Sequence, residues 1–330
     1  MKAQVLIDFL TFTIQKVKNW ENVVRNILLM DPKIFKEQDR GGLGYNSSVR
    51  YDNIIIYYNG REDMGICVSM SGTGCRTYEA YSDDTEIVEL LKKIIKMRDK
   101  DEASANITRI DIAADDKKGS LNLEKMLECL RERKVNTRLR MVCEQKSYNL
   151  GKESEKDAIS FYLGSNKSDF RYRIYDKAKE QGDLESHLVR VELVNRSSYA
   201  LGAAKALINA GEDIGKCIAA MIRASLLFIE ADNSRIERCS VAEWWDEFLE
   251  TLETLKYLEK IKTIHTAEKL YCRIEDQLSR TLAMGKMLFG EQFIMRVATE
   301  GEKKLTKEQQ ALVNDYLNRM EKEKRKKEAA

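Results

Sequence analysis

The chain has 330 residues and a formal net charge of +2, with 43% hydrophobic and 33% charged residues. That composition provides for a packed core and excludes wholesale disorder, and the near balance of charge requires any nucleic-acid contact to come from local patches. Two histidines, His187 and His265, and seven scattered cysteines without a CxxC pair exclude a histidine-built metal centre, an HExxH protease and a disulfide scaffold.

Residues 5–15 alternate as a strand. Residues 20–30 have helical apolar spacing that stops at Asp31-Pro32, the only proline in the chain. Strands are expected at 43–51, 54–58 and 65–70, followed by a helix with Ile87, Val88, Leu91, Ile94 and Ile95 on its apolar stripe. Gly41-Gly42-Leu43-Gly44 reads as a turn entering a hairpin, since no lysine-serine pair and no helix follow it as a phosphate loop requires. Ser71-Gly72-Thr73-Gly74 reads as a turn into a short helix.

The order then repeats: a strand at 107–115, a helix at 121–133, and strands at 137–143, 158–164, 170–177 and 188–195. The expected fold is α+β, with two related halves, about 1–104 and 105–196, sharing one large antiparallel sheet. Residues 197–330 read as a helical region with helices at 199–210, 213–229 and 241–263, and a loop at 232–238. Trp244, Trp245 and Phe248 form a stripe that suits a core. Residues 318–330 are dominated by Lys, Arg and Glu and read as a frayed helix end or tail. No apolar run reaches membrane-spanning length and no signal peptide is recognisable, so a cytoplasmic protein is expected.

Three strands carry ionisable groups where apolar ones are usual. In the run 169–177, period-two alternation places Arg171, Arg173, Tyr175 and Lys177 on one face and Phe170, Tyr172, Ile174 and Asp176 on the other. A phenol in a row of cations suits tyrosine attack on a nucleic-acid backbone. The cations would hold phosphate, lower the phenol's pKa and stabilise charge on the transferring group. Arg109, Asp111 and Asp115 share a face of the second strand, and Arg190 and Glu192 a face of the third. Embedded carboxylates are costly unless paired, so each pair alone suits a salt bridge. Together with the tyrosine strand they favour a site for phosphoryl transfer, with a hard cation (Mg²⁺ or Mn²⁺) on oxygen ligands. Arg138 and Arg140 on the 137–143 strand suit either backbone tracking or a solvated face.

The segments VLIDFLTFTI, GGLGYNSSVRYDNIIIYYNG, GICVSMSGTGCRTYE, TRIDIAADD, FYLGSNKSDFRYRIYDKAKEQ and LVRVELVNR, in this order, resemble the Rep_trans replication initiation factors. The resemblance covers residues 5–196 and, more faintly, the helix near Trp244. It implies a site-specific, metal-dependent DNA nickase and ligase on a curved antiparallel sheet of two TATA-binding-protein-like units. The family's RIYDK tyrosine corresponds to Tyr175, and its RID and RVE acids to Asp111 and Glu192, the expected metal ligands together with Asp115. Arg190 and Lys177 would offset developing charge, while Arg109, Arg138, Arg140, Arg171 and Arg173 would contact DNA. The implied partners are an origin of replication or transfer on a plasmid or conjugative element, a second copy of the chain, and a host helicase. The added N-terminal helix-turn-helix of some relatives is not expected, because the chain starts at the first core strand. A catalytically silent origin-binding protein is the alternative reading.

Overall fold

In the computed structural model, the described residues are 3–81, 85–101, 104–147, 158–183, 186–256, 274, 278–305, 310, 313–314 and 317. The first part contains β1 (Ala3–Ile14), α1 (Trp20–Val23), β2 (Lys36–Gln38), β3 (Ser47–Tyr51), β4 (Ile54–Tyr58), β5 (Ile66–Ser71), α2 (Gly72–Tyr81) and α3 (Ile87–Lys100). The second contains β6 (Ala105–Asp116), α4 (Leu123–Arg131), β7 (Val135–Thr137), β8 (Val142–Ser147), β9 (Ala158–Leu163), β10 (Phe170–Asp176), α5 (Lys177–Glu180) and β11 (Val189–Arg196). There follow α6 (Ser197–Ala210), α7 (Ile214–Arg223), β12 (Leu226–Phe228), α8 (Glu243–Glu253), α9 (Ser279–Phe289) and α10 (Glu291–Glu302).

Ten strands form one antiparallel sheet in the order β2-β3-β4-β5-β1-β6-β11-β10-β9-β8. The long strands β1 and β6 pair at its centre, and each is flanked by four strands of its own half in the same sequence order. The two related halves expected from the chain order are thus two five-stranded arms meeting at a β1–β6 seam.

Two bulges set which side chains face the site. In β1 the register steps from Ile7↔Ile112 to Phe9↔Asp111, so Asp8 is the extra residue. A further step between Thr11↔Arg109 and Phe12↔Ile107 makes Thr108 the extra residue of β6. Each inserted residue reverses the side-chain parity. Val5 and Ile7 therefore share the core with Leu10, Phe12 and Ile14, and Ala105 and Ile107 share it with Ile110, Ile112 and Ala114. An unbulged strand would send one of these sets to the opposite face.

The apolar face is covered by α3, α4, α6, α7 and α8. α6 starts directly after β11 and packs on β6 and β11. The tryptophan stripe is core as expected: Trp245 is fully buried, donates its indole N–H to the Leu226 carbonyl at 3.3 Å and packs against Phe228 and Phe248.

Several boundaries differ from the sequence reading. The expected strand 137–143 is split: residues 135–137 pair with β12 in a separate two-stranded sheet, and 142–147 pair with β9. The expected helix 213–229 ends at Arg223, and its last apolar residues form β12. In both places partners distant in sequence decide the structure, and a three-residue apolar run does not reveal them. No turn separates β5 from α2, which begins at Gly72. The helical run at 20–30 is α1 continued by a π-helical turn, Val24–Leu28. Residues 257–263 of the expected third helix and the charged tail 318–330 lie outside the described residues. No helix among the described residues is long and apolar enough to cross a membrane.

Candidate active site on the polar face of the sheet

β10, β11, β6 and β1 lie side by side, and their register builds the site row by row. Tyr175 stands opposite Arg190, Arg190 opposite Asp115, and Asp115 opposite Gln4. One step along, Arg173 stands opposite Glu192. The alternation of β10 is as expected up to residue 176. Tyr172 and Ile174 are fully buried on the helix side, where the Tyr172 hydroxyl meets Ser225 Oγ at 2.6 Å. Tyr175 is on the polar side and 3% exposed.

Lys177 is not on the strand. Asp176 ends β10 and caps α5, accepting the Lys179 N–H at 2.9 Å, so Lys177 opens a helix. Its Nζ still lies 5.7 Å from the Tyr175 ring centroid, and the Arg173 guanidinium lies 4.0 Å from the same centroid. Two cations therefore flank the phenol. Among the described residues the Tyr175 hydroxyl has no hydrogen-bond partner.

The expected lowering of the phenol's pKa is not found. Burial pushes it well above the ordinary tyrosine value, and the opposing pull of Arg190 is smaller. The resting phenol is protonated. Removing its charge from water costs more than the nearby cations return.

Arg190 and Asp115 form a buried bidentate pair, with Nε to Oδ1 at 2.6 Å and Nη2 to Oδ2 at 2.8 Å. Gln4 Nε2 donates to the same Asp115 Oδ2 at 2.7 Å. Arg190 Nη1 reaches Asp8 Oδ1 at 2.7 Å. Burial works against the charge on Arg190, but Asp115 and Asp8 outweigh it and push its pKa up. Asp115, expected as a metal ligand, is instead committed to Arg190 and Gln4.

Asp111 is clasped by Arg109, with Nε to Oδ1 at 3.0 Å and Nη2 to Oδ2 at 2.5 Å, while the guanidinium covers the Phe9 ring at 4.0 Å. Asp111 and Glu192 also act on one another electrostatically. Glu192 is buried, its Oε2 has no hydrogen-bond partner among the described residues, and Arg173 Nη1 approaches that oxygen only to 3.7 Å. Burial first, and then the negative charges of Asp8 and Asp111, raise the Glu192 pKa to about 8 against the pull of Arg173 and Arg190. Burial raises Asp111 as well, against the pull of Arg109.

A pH dependence follows. Glu192 binds its proton more tightly in the folded chain than in the unfolded one. The stability this contributes is complete below about pH 4 and is lost as pH rises toward about 8. Glu192→Gln is expected to flatten that decline, leaving its Tm a few degrees above wild type at pH 8. Parallel melting curves between pH 5 and 9 would expose the error if the two proteins kept a constant difference.

Three carboxylates, Asp8, Asp111 and Glu192, thus act on one another in a small buried space. The donor set is all oxygen, and the pKa values of Asp111 and Glu192 are both raised, which fits a hard cation. Among the described residues no three carboxylate, histidine or cysteine side chains are already arranged as a metal cage. Arg109 and Arg190 hold Asp111 and Asp8 instead.

The sequence reading does not include Asp8: the core set switches from odd positions (Ala3, Val5, Ile7) to even ones (Leu10, Phe12, Ile14) across it, but the apolar Leu6 and Phe9 obscure the switch. Gly72 leaves room for it, since a Cβ there would meet Asp8 Oδ1 at 2.5 Å. Arg76 Nη2 ties the Ile7 carbonyl beside the bulge at 2.9 Å.

The other expected DNA contacts divide. Arg171 lies over the Tyr162 ring at 5.1 Å and is half-buried on the polar face with Arg109 and Arg173. Arg138 and Arg140 fall in the connection between β7 and β8, because the strand that would have aligned them does not form. Both are exposed there, and Arg138 lines an 860 Å³ helix-side cavity with Phe170, Leu193 and Tyr199.

The duplicated antiparallel sheet is the architecture of a rolling-circle replication initiator. The solved rolling circle replication initiator protein from Geobacillus stearothermophilus matches with a TM-score of 0.69 and 26% identity, over 79% of this chain and 100% of that one. The family model described as replication initiation factor (Rep_trans) matches residues 105–299, and the model of the rolling circle replication initiation protein N-terminal domain matches 4–93. The chain belongs to the Rep_trans replication initiation factors. The two matches meet between residues 93 and 105, where α3 ends and β6 begins. Bacillus subtilis (strain 168) NicK, named as a proposed DNA relaxase, is 24% identical over 255 residues, covering 74% of this chain and 70% of that protein.

Proposed function

We propose that the protein nicks and rejoins one DNA strand at an origin through Tyr175, initiating rolling-circle replication or transfer of a mobile element. The observation that carries this reading is the buried Tyr175 hydroxyl, unpartnered among the described residues, beside two cations and a carboxylate cluster. A phenol with no structural bond to make is available for chemistry, whereas Tyr172 is bound to Ser225 in the core.

In the reaction, the Tyr175 oxygen forms a bond to phosphorus, the bond from phosphorus to the 3′ oxygen breaks, and the phenol loses its proton. The products are a 5′-phosphotyrosyl link and a 3′-hydroxyl, which can prime synthesis or attack the link to rejoin the strand. Arg173 and Lys177 flank the ring and receive the charge of the transferring group. Arg190 favours the phenolate and, through Asp115 and Asp8, holds three strands of the site in register. Asp111 and Glu192, with Asp8, would hold Mg²⁺ or Mn²⁺, which polarises a phosphoryl oxygen. Arg109 would then have to release Asp111. Arg171 and Tyr162, together with Arg109 and Phe9, offer cation and ring surfaces suited to a single strand.

Incubation with labelled single-stranded oligonucleotides from the neighbouring intergenic DNA should give a covalent adduct on Tyr175, identified by mass spectrometry. EDTA should prevent the adduct and Mn²⁺ or Mg²⁺ restore it. Full activity in chelator would remove Asp8, Asp111 and Glu192 from the metal role. Tight, salt-dependent binding without any adduct would make the protein a silent origin binder.

A further inference from the structure

Glu180, the last residue of α5, takes no part in the chemistry above, yet it contacts both cations that flank Tyr175. Its Oε1 accepts from Arg173 Nη2 at 3.4 Å, and its Oε2 accepts from Lys177 Nζ. It acts electrostatically on Arg173 and on Tyr175 itself. One carboxylate thus bridges, through its two oxygens, the guanidinium 4.0 Å and the ammonium 5.7 Å from the phenol ring centroid. A phosphodiester presents the same features, a single negative charge and two acceptor oxygens able to span two donors.

We propose that Arg173 and Lys177 form a phosphate seat beside Tyr175 and that Glu180 occupies it as a built-in surrogate, which a DNA phosphate must displace. The inference rests on the nicking reading for the identity of its ligand. Glu180 suits a replaceable occupant and Glu192 does not. Glu180 is 39% exposed and its contact with Arg173 is long, whereas the Glu192 side chain is 6% exposed and lies within the sheet. Exposed pairs of this kind contribute little, so displacement is cheap. The seat would otherwise leave two cations beside a buried phenol, open to any anion. The surrogate makes entry competitive, favouring a strand anchored by further contacts along the face over a lone phosphate.

The test is the affinity of single-stranded oligonucleotides by fluorescence anisotropy at low salt. Glu180→Gln is expected to tighten binding about threefold, with the gain fading at high salt. Glu180→Asp keeps the charge but is too short to bridge both cations, and it should show part of the gain. In an Arg173→Gln/Lys177→Gln background neither change should matter. Unchanged or weaker binding by both variants overturns the proposal. An equal gain in the double background overturns it too, because the effect would then be long-range charge. The assay needs no cleavage. A tighter Glu180→Gln without any wild-type adduct sinks nicking and leaves the seat standing, and an adduct without tighter binding does the reverse.

Discussion

Tyr175→Phe is expected to abolish strand nicking and covalent adduct formation while leaving oligonucleotide affinity unchanged. The hydroxyl is the only atom removed, and it makes no hydrogen bond among the described residues, so the fold loses nothing. The ring remains between Arg173 and Lys177, so the cationic surface that meets phosphate remains too. Tyr172→Phe is the matched control with the opposite signature. It removes the buried bond to Ser225 Oγ at 2.6 Å, costs about 1 kcal/mol of stability, and leaves cleavage intact. Anisotropy, gel-resolved cleavage and thermal melting on the two variants separate the roles. Persistent nicking by Tyr175→Phe, with Tyr172→Phe inactive, would reverse the assignment.

Arg190→Ala is expected to be the most destabilising single change in the site. The guanidinium is almost fully buried and neutralises the fully buried Asp115, and it also holds Asp8 across β6. Removing it leaves Asp115 charged in the interior with, among the described residues, the Gln4 amide as its remaining side-chain partner, a loss of about 3–5 kcal/mol. The double variant Arg190→Ala/Asp115→Asn should recover a substantial part of that loss, because the stranded charge is gone. Urea denaturation of wild type, both single variants and the double variant forms the cycle. Additive losses would show that the pair is not coupled and that Arg190 stabilises by packing alone. Activity should fall in every member that lacks Arg190, since the same group favours the Tyr175 phenolate.

The difference between Tyr175 and Arg138 shows how far the site could be read from the sequence. Period-two alternation separated Tyr175 from Tyr172 because β10 pairs on both sides along the relevant residues. The alternation does not extend to Arg138 and Arg140, because among the described residues 138–141 pair with no strand and the ladder passes from β12 to β9 around them. Asp111 and Glu192 were identified as embedded acids, and the structure brings both to the cluster. Asp115 was grouped with them by parity, but its register partner Arg190 claims it. The phenol's pKa lies above the sequence expectation because the neighbouring cations are visible in sequence and the depth of burial is not.

Local pattern by itself determined the class of the fold, the repeat of strand and helix order, and the face of β10 that carries Tyr175. Those properties depend on residues two to four positions apart. Only the tertiary structure decided that Asp8 joins the site, that Asp115 is a structural partner of Arg190, and that Glu180 bridges the cations beside Tyr175. Asp8 pairs with a residue 182 positions away. It reaches the cluster because a single inserted residue in β1 keeps both apolar sets in the core and leaves the carboxylate to the polar face. Strand register and burial are set by partners distant in the chain, and these two quantities decide which charges meet.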